Sequence, residues 1–109
     1  MSIERVREQF KELGIEDRIV ELDQSSATVE LAAHALGCQP RDIVKTLAFD
    51  VDGDTIVIVA VGDARIDNAK YKNTFGKKAK MLHGDQVEAR TGHAIGGVCP
   101  FGLKEGVKV

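Results

Sequence analysis

The chain has no tryptophan, one tyrosine, two prolines and two cysteines among its 109 residues. So little aromatic surface argues against an RNA-binding sheet that stacks bases on exposed rings. Cys38 and Cys99 stand far apart and form no CxxC pair, which excludes a disulfide framework and fits reduced, cytosolic thiols. His34, His83 and His93 are scattered without ligand spacing, so no metal centre is expected. Long apolar runs are missing too. Ile56 to Val61 is the longest, far too short to span a bilayer. The opening MSIERVREQF carries charge where a signal peptide needs an apolar stretch. A cytoplasmic protein outside the membrane is expected.

What is present is enough for a core. Ile, Val, Leu and Phe number 8, 12, 7 and 4, together 31 of 109 residues, which predicts one folded domain over residues 1–109. The net charge of −2 hides an asymmetry. Residues 1–63 carry 6 basic and 13 acidic side chains, whereas residues 64–80 carry Arg65, Lys70, Lys72, Lys77, Lys78 and Lys80 against Asp67 alone. Such a cluster can neutralise phosphates, and it can equally be the solvated face of a basic helix.

Ile3, Val6, Phe10 and Leu13 recur at helical spacing before Gly14, predicting a helix over 2–13. Arg18 to Leu22 reads as a short strand. Val29, Ala32, Ala33 and Leu36 form the stripe of a second helix that Gly37 ends, with His34 on its outer side. The strongest local signal follows. Two β-rich runs, Ile43 to Val51 and Thr55 to Gly62, flank Asp52-Gly53, a favoured two-residue hairpin turn. If the turn forms, paired positions sum to 105, so Lys45 faces Ala60 and Phe49 faces Ile56. The second strand is apolar on both faces, as expected of a central strand covered on both sides. Asp67 is a candidate N-cap for a basic helix ending near Gly76. Lys78 to Leu82 suggests a short strand, 85–90 a short helix, 91–102 a glycine-rich loop, and Val107 to Val109 the start of a strand.

Two features can carry chemistry. Lys45 shares a strand face with Ile43, Leu47 and Phe49. A lysine there either snorkels out with its stem over apolar surface or lines a pocket as a cation. The run Gly96-Gly97-Val98-Cys99-Pro100-Phe101-Gly102 lets a ligand approach the backbone closely, and its N–H groups can hold a carbonyl oxygen or a developing oxyanion. It is neither a Walker loop nor a dinucleotide fingerprint, and an ordinary glycine-rich turn explains it as well. Cys99 can serve as a nucleophile only with an activating base, and no sequence argument brings His93 to it.

Taken in order, Thr28-Val29-Glu30 with Ala32-Ala33 and Leu36-Gly37, Ile43-Val44-Lys45-Thr46-Leu47, Val61-Gly62-Asp63 with Arg65-Ile66-Asp67 and Lys70, then Thr91-Gly92 and Gly96 to Gly102 closely resemble the YbaK/prolyl-tRNA-synthetase-associated editing-domain family. The resemblance runs from about residue 26 to residue 102. It implies an α/β (α+β) fold: a mixed, partly barrel-like sheet flanked by helices. It also implies deacylation of mischarged aminoacyl-tRNA, without cofactor or metal, by a free-standing protein or a synthetase insertion, with the acceptor 3′ end of aminoacyl-tRNA, and a synthetase, as the expected partners. The family's functional lysine falls on Lys45 and is associated with the 3′-terminal nucleotide. The GxxxP loop falls on Gly96 to Pro100 and holds the aminoacyl carbonyl. Thr28, Gly96, Gly97, Val98 and Pro100 are then the substrate-binding candidates. Arg65, Lys70, Lys72, Lys77 and Lys78 are the tRNA-binding candidates. Family members continue through further strands and a helix, so this chain resembles the editing domain without its C-terminal elements. Two rival readings are a non-catalytic tRNA- or nucleotide-binding module of the same fold and a Cys99-dependent enzyme.

Overall fold

A tight hairpin organises the chain. In the computed structural model, which describes residues 2–109, β1 (Val44–Val51) and β2 (Asp54–Val61) pair antiparallel with Lys45 opposite Ala60, Phe49 opposite Ile56 and Val51 opposite Asp54. This is the register that the Asp52-Gly53 turn dictates. Asp52 at φ 51° and Gly53 at φ 89° both occupy the left-handed region, the geometry whose twist matches that of paired strands.

Single bridges extend the hairpin on each side, Phe49 to Met81 antiparallel and Ile56 to Lys108 parallel. Asp50 N–H donates to the Lys80 carbonyl at 2.8 Å, and Val57 N–H donates to the Lys108 carbonyl at 2.8 Å. The expected strands at 78–82 and 107–109 therefore exist as one-bridge edges, and the sheet is mixed. β2 is central, as expected, but it is covered on both faces only near the turn. Ile56 and Val57 are buried, while Val59 is 41% and Val61 46% exposed.

Among the described residues four α-helices accompany the hairpin: α1 (Ile3–Glu12), α2 (Val29–Leu36), α3 (Asn68–Phe75) and α4 (Asp85–Thr91). Their ends follow elementary capping. Thr28 Oγ1 accepts from Leu31 N–H at 3.1 Å, and Asp67 Oδ1 accepts from Lys70 N–H at 3.0 Å, each satisfying a donor that the first turn leaves free. Gly37 and Gly76 close α2 and α3 in the left-handed conformation. None of the described helices is long and apolar enough to cross a membrane.

Alternation along the strands divides the core. On one face Phe49 and Ile56 pack with Tyr71 of α3 and with Leu47, Ile58, Ile66 and Phe75. On the other, Ala48 and Val57 pack with Leu82 and Val87 of α4, and with Val98, Leu103 and Val107. A third cluster joins Val6 and Phe10 of α1 to Cys99, with Ile15 and Ile19 beside it. Each fully buried Val, Leu, Ile or Phe side chain contributes about 1.5–3 kcal/mol over its exposed state. α4 is also tied to the hairpin tip, where Arg90 binds Asp50 and Thr55 Oγ1 at 2.8 and 2.7 Å and the Gly53 carbonyl at 3.0 Å.

One expected element is replaced. Instead of a strand at 18–22, Glu16–Arg18 form a turn of 3-10 helix and the following residues run without a sheet partner. Arg7 of α1 binds Glu16 at 3.8 Å and Glu21 at 2.8 Å, so the segment lies along α1 and Ile19 joins the α1 cluster.

Candidate functional site

The open end of the hairpin is crowded. Gly62 N–H donates to the Ile43 carbonyl at 2.6 Å. A Cβ placed on Gly62 would overlap the Pro40 carbonyl oxygen and stand 2.7 Å from Val29 Cγ1. Only glycine lets β2 pass this close to the start of α2. Thr28 is exposed at that start. Ala27 just before it reaches the glycine-rich loop, since a Cβ on Gly96 would lie 3.7 Å from Ala27 Cβ.

Lys45 stands at this end on the Phe49 face, half-buried, and its ammonium donates to the Ala64 carbonyl in the turn after β2. Among the described residues it makes no hydrogen bond to 96–100. Val98 packs on the opposite sheet face with Ala48 and Val57. Lys45 and Val98 therefore lie on opposite faces of the hairpin, while Val29 lies against Gly62 and Ala27 against Gly96.

The loop leaves two of its own donors unpaired. Gly96 is exposed at φ 82°, and Gly97, Val98 and Pro100 are half-buried. Gly97 N–H closes a turn onto the Ala94 carbonyl at 3.0 Å, while Gly96 and Val98 N–H have no partner among the described residues. Both ends of the loop are pinned. Thr91, fully buried, donates from Oγ1 to the Val87 carbonyl at 2.7 Å and accepts from His93 N–H at 3.1 Å. At the other end the Gly102 carbonyl accepts from Arg5 Nε at 2.6 Å, and Gly102 N–H donates to Gln9 Oε1. A Cβ at Gly102 would stand 2.7 Å from the Arg5 carbonyl carbon, so α1 lies directly against the loop's end. Phe101 meets Phe10 edge to face at 4.8 Å.

His93, one of three scattered histidines in the sequence, is completely buried in the fold. Its Nδ1 accepts from Ser2 N–H at 3.0 Å, and its Nε2 lies 2.7 Å from the Phe101 carbonyl and 3.6 Å from Cys99 Sγ. A nitrogen that accepts from an amide carries no proton, so the ring's proton sits on Nε2 and donates to the Phe101 oxygen. Burial lowers the His93 pKa against the opposing pull of that carbonyl, helped by the amino terminus and Arg5. The ring is neutral and turns a donor, not a base, towards Cys99. Burial in turn pushes the Cys99 thiol up, with the Phe101 carbonyl and the amino terminus opposing. A protonated thiol beside a donor is a packing group, not an activated nucleophile. His93 and Cys99 do come together, but the arrangement disfavours a Cys99-dependent enzyme. The nearest sequence signal for this cluster is the glycine pair Gly92 and Gly102, both packed against Arg5.

The basic segment is a surface feature. Arg65, Lys70, Lys72, Lys77 and Lys78 are all exposed on or beside α3, whose buried contact is Tyr71. Lys77 pairs with Asp52 at 3.1 Å.

Comparison with known proteins places the fold in a family. The family model described as an aminoacyl-tRNA editing domain matches residues 23–109. An uncharacterized Bacillus subtilis protein, YwhH, is 50% identical over 104 residues, covering 94% of this chain and 66% of its own length. The proline–tRNA ligase of Maridesulfovibrio salexigens is 36% identical over 78 residues, 71% of this chain and 13% of the ligase. Among solved structures, hypothetical protein APE2540 superposes with a TM-score of 0.83 at 32% identity, covering 94% of this chain and 69% of that one. A proposed trans-editing enzyme for prolyl-tRNA synthetase gives a TM-score of 0.81 at 31% identity, covering 93% and 65%. The chain thus spans just under two thirds of the Bacillus relative and a small part of the ligase. With the family model covering the hairpin, Lys45, the glycine-rich loop and their connections, the chain belongs to the aminoacyl-tRNA editing domain family.

Proposed function

We propose that the chain is a trans-editing deacylase, hydrolysing the ester between a wrongly attached amino acid and the 3′ end of tRNA. The observation that carries this reading is a glycine-rich loop whose Gly96 and Val98 N–H groups have no partner among the described residues, in a chain that the editing-domain family model matches, with the half-buried ammonium of Lys45 at the hairpin's open end. In ester hydrolysis water adds to the carbonyl carbon, charge gathers on the carbonyl oxygen, and the bond to the ribose oxygen breaks. Fixed N–H groups stabilise that charge without reorganising. Lys45 supplies a positive charge for the terminal nucleotide's phosphate, and Thr28, Gly97 and Pro100 complete the walls around the ester. No side chain here is placed as an obvious general base. The ribose's free hydroxyl therefore orients the water, whose proton passes to the leaving ribose oxygen. Free amino acid and tRNA are the products.

The exposed cations Arg65, Lys70, Lys72, Lys77 and Lys78 suit the phosphates of the acceptor arm, contacts that position the RNA without reading its sequence. Similarity to proline–tRNA ligases and to the proposed prolyl trans-editing enzyme makes mischarged tRNA for proline the first substrate to test and a synthetase the natural partner. The experiment is release of amino acid from a panel of mischarged tRNAs by the purified chain. Release above the spontaneous rate for at least one pair is expected. Tight binding with no release from any tRNA would contradict the reading and leave a non-catalytic tRNA-binding module.

A further inference from the structure

Deacylation as proposed explains the glycine-rich loop but leaves its fully buried histidine without a task. Seven residues, 94–100, lie between His93 and Phe101, and the His93 ring joins the two ends by its 2.7 Å bond to the Phe101 carbonyl. The same ring takes the Ser2 N–H at the start of α1 on its other nitrogen. Backbone bonds at both ends add to the clasp: His93 N–H to Thr91 Oγ1 on α4, and Gly102 to Gln9 and Arg5 on α1. A loop with glycines at 96 and 97 has little stiffness of its own, and N–H groups that stabilise an oxyanion must hold their positions closely.

We propose that His93 is the positioning residue of the substrate loop, closing it as a neutral imidazole with its proton on Nε2 and coupling the loop to the N-terminal end of α1. The ring touches no reacting atom and acts through the backbone of 96–100. Groups facing it among the described residues are Cys99 and the Phe101 carbonyl from the loop, the Ser2 amide just before α1 and the charge of Arg5 on α1. A second proton, on Nδ1, would abut the Ser2 N–H and break that bond, so only the neutral ring serves both partners. This role rests on the deacylase reading, but the order of the loop can be measured without it.

The test uses His93→Phe, which removes both ring bonds, and His93→Gln, whose amide nitrogen can reproduce the donor to Phe101. Three readouts are taken on the whole chain: the His93 tautomer by nitrogen NMR, amide exchange at Gly97 and Gly102, whose N–H groups are bonded to the Ala94 carbonyl and to Gln9 Oε1, and single-turnover deacylation. The wild-type ring is expected to carry its proton on Nε2. His93→Phe is expected to speed exchange at both amides and to cut kcat about 100-fold with KM nearly unchanged, the signature of a displaced transition-state contact. His93→Gln is expected to regain slow exchange and most of the lost kcat, and it carries the test alone if the Phe variant does not fold. A proton found on Nδ1 would overturn the proposal. So would unchanged exchange and kcat in folded His93→Phe, or a folded His93→Gln that regains neither. If the wild type releases no amino acid from any tRNA, the deacylase reading fails, and the tautomer and exchange rates still decide the role of His93.

Discussion

Two buried residues, His93 and Cys99, show how a catalytic-looking pair can be a structural one. The deciding fact is the direction of hydrogen bonding: Ser2 N–H donates to Nδ1, which leaves Nε2 a donor. The resulting pH dependence has a definite sign. The pKa of His93 in the fold is lowered from its usual value of about 6.5, so the unfolded chain takes up the proton first as pH falls. The contribution to stability is complete above about pH 6.5 and is lost as pH falls below it through the lowered value. Urea midpoints measured between pH 7.5 and 5 should drop more steeply for the wild type than for His93→Gln; parallel slopes would mean that other groups carry the acid sensitivity. Cys99→Ala should cost on the order of 1 kcal/mol of stability and leave deacylation intact. Loss of turnover in a folded Cys99→Ala protein would revive the Cys99-dependent enzyme.

At the scale of elements, the hairpin and the helix ends are legible in the sequence because their causes are local. Asp52-Gly53 dictates a register without reference to anything distant, and Asp67 caps α3 by accepting from the amide three residues on. The segment at 18–22 reads as a strand because Ile19, Val20 and Leu22 favour extension, yet it finds no sheet partner because Glu16 and Glu21 are held by Arg7 of α1. Alternation alone puts Lys45 on the Leu47 and Phe49 face, but its anchor at Ala64 depends on how the chain turns after β2. The burial of His93 is illegible because it is set by Ser2, 91 positions away. Gly62 tests the packing of elements at the site. Its φ lies outside the left-handed region, so space alone demands glycine, and Gly62→Ala should destabilise by about 1–3 kcal/mol through overpacking against Pro40 and Val29. A denaturation midpoint unchanged in Gly62→Ala would show that α2 and the hairpin are not wedged together as described.

For the whole molecule, charge is segregated along the chain: residues 1–63 are acidic, and the 64–80 segment presents exposed cations next to the turn that anchors Lys45. Neutralising Lys70, Lys72 and Lys78 together should weaken tRNA binding and reduce the slope of log affinity against log salt by about 0.7–0.9 for each phosphate that no longer meets a cation, without changing which amino acid is removed. An unchanged slope would place the RNA elsewhere. The central claim, that this end of the hairpin hydrolyses aminoacyl-tRNA, turns on Lys45. Replacing it with Ala removes one bond to the Ala64 carbonyl and also the desolvation of a half-buried charge, opposing effects that should leave the fold intact. Lys45→Arg keeps the charge with altered reach and donor geometry and should restore only part of the activity. The most direct measurement is therefore single-turnover deacylation by wild type and Lys45→Ala, side by side with their thermal unfolding. The expected result is release above the spontaneous rate by the wild type and loss of most of it in an Ala variant that unfolds at nearly the same temperature; a folded Ala variant with undiminished turnover would contradict the account.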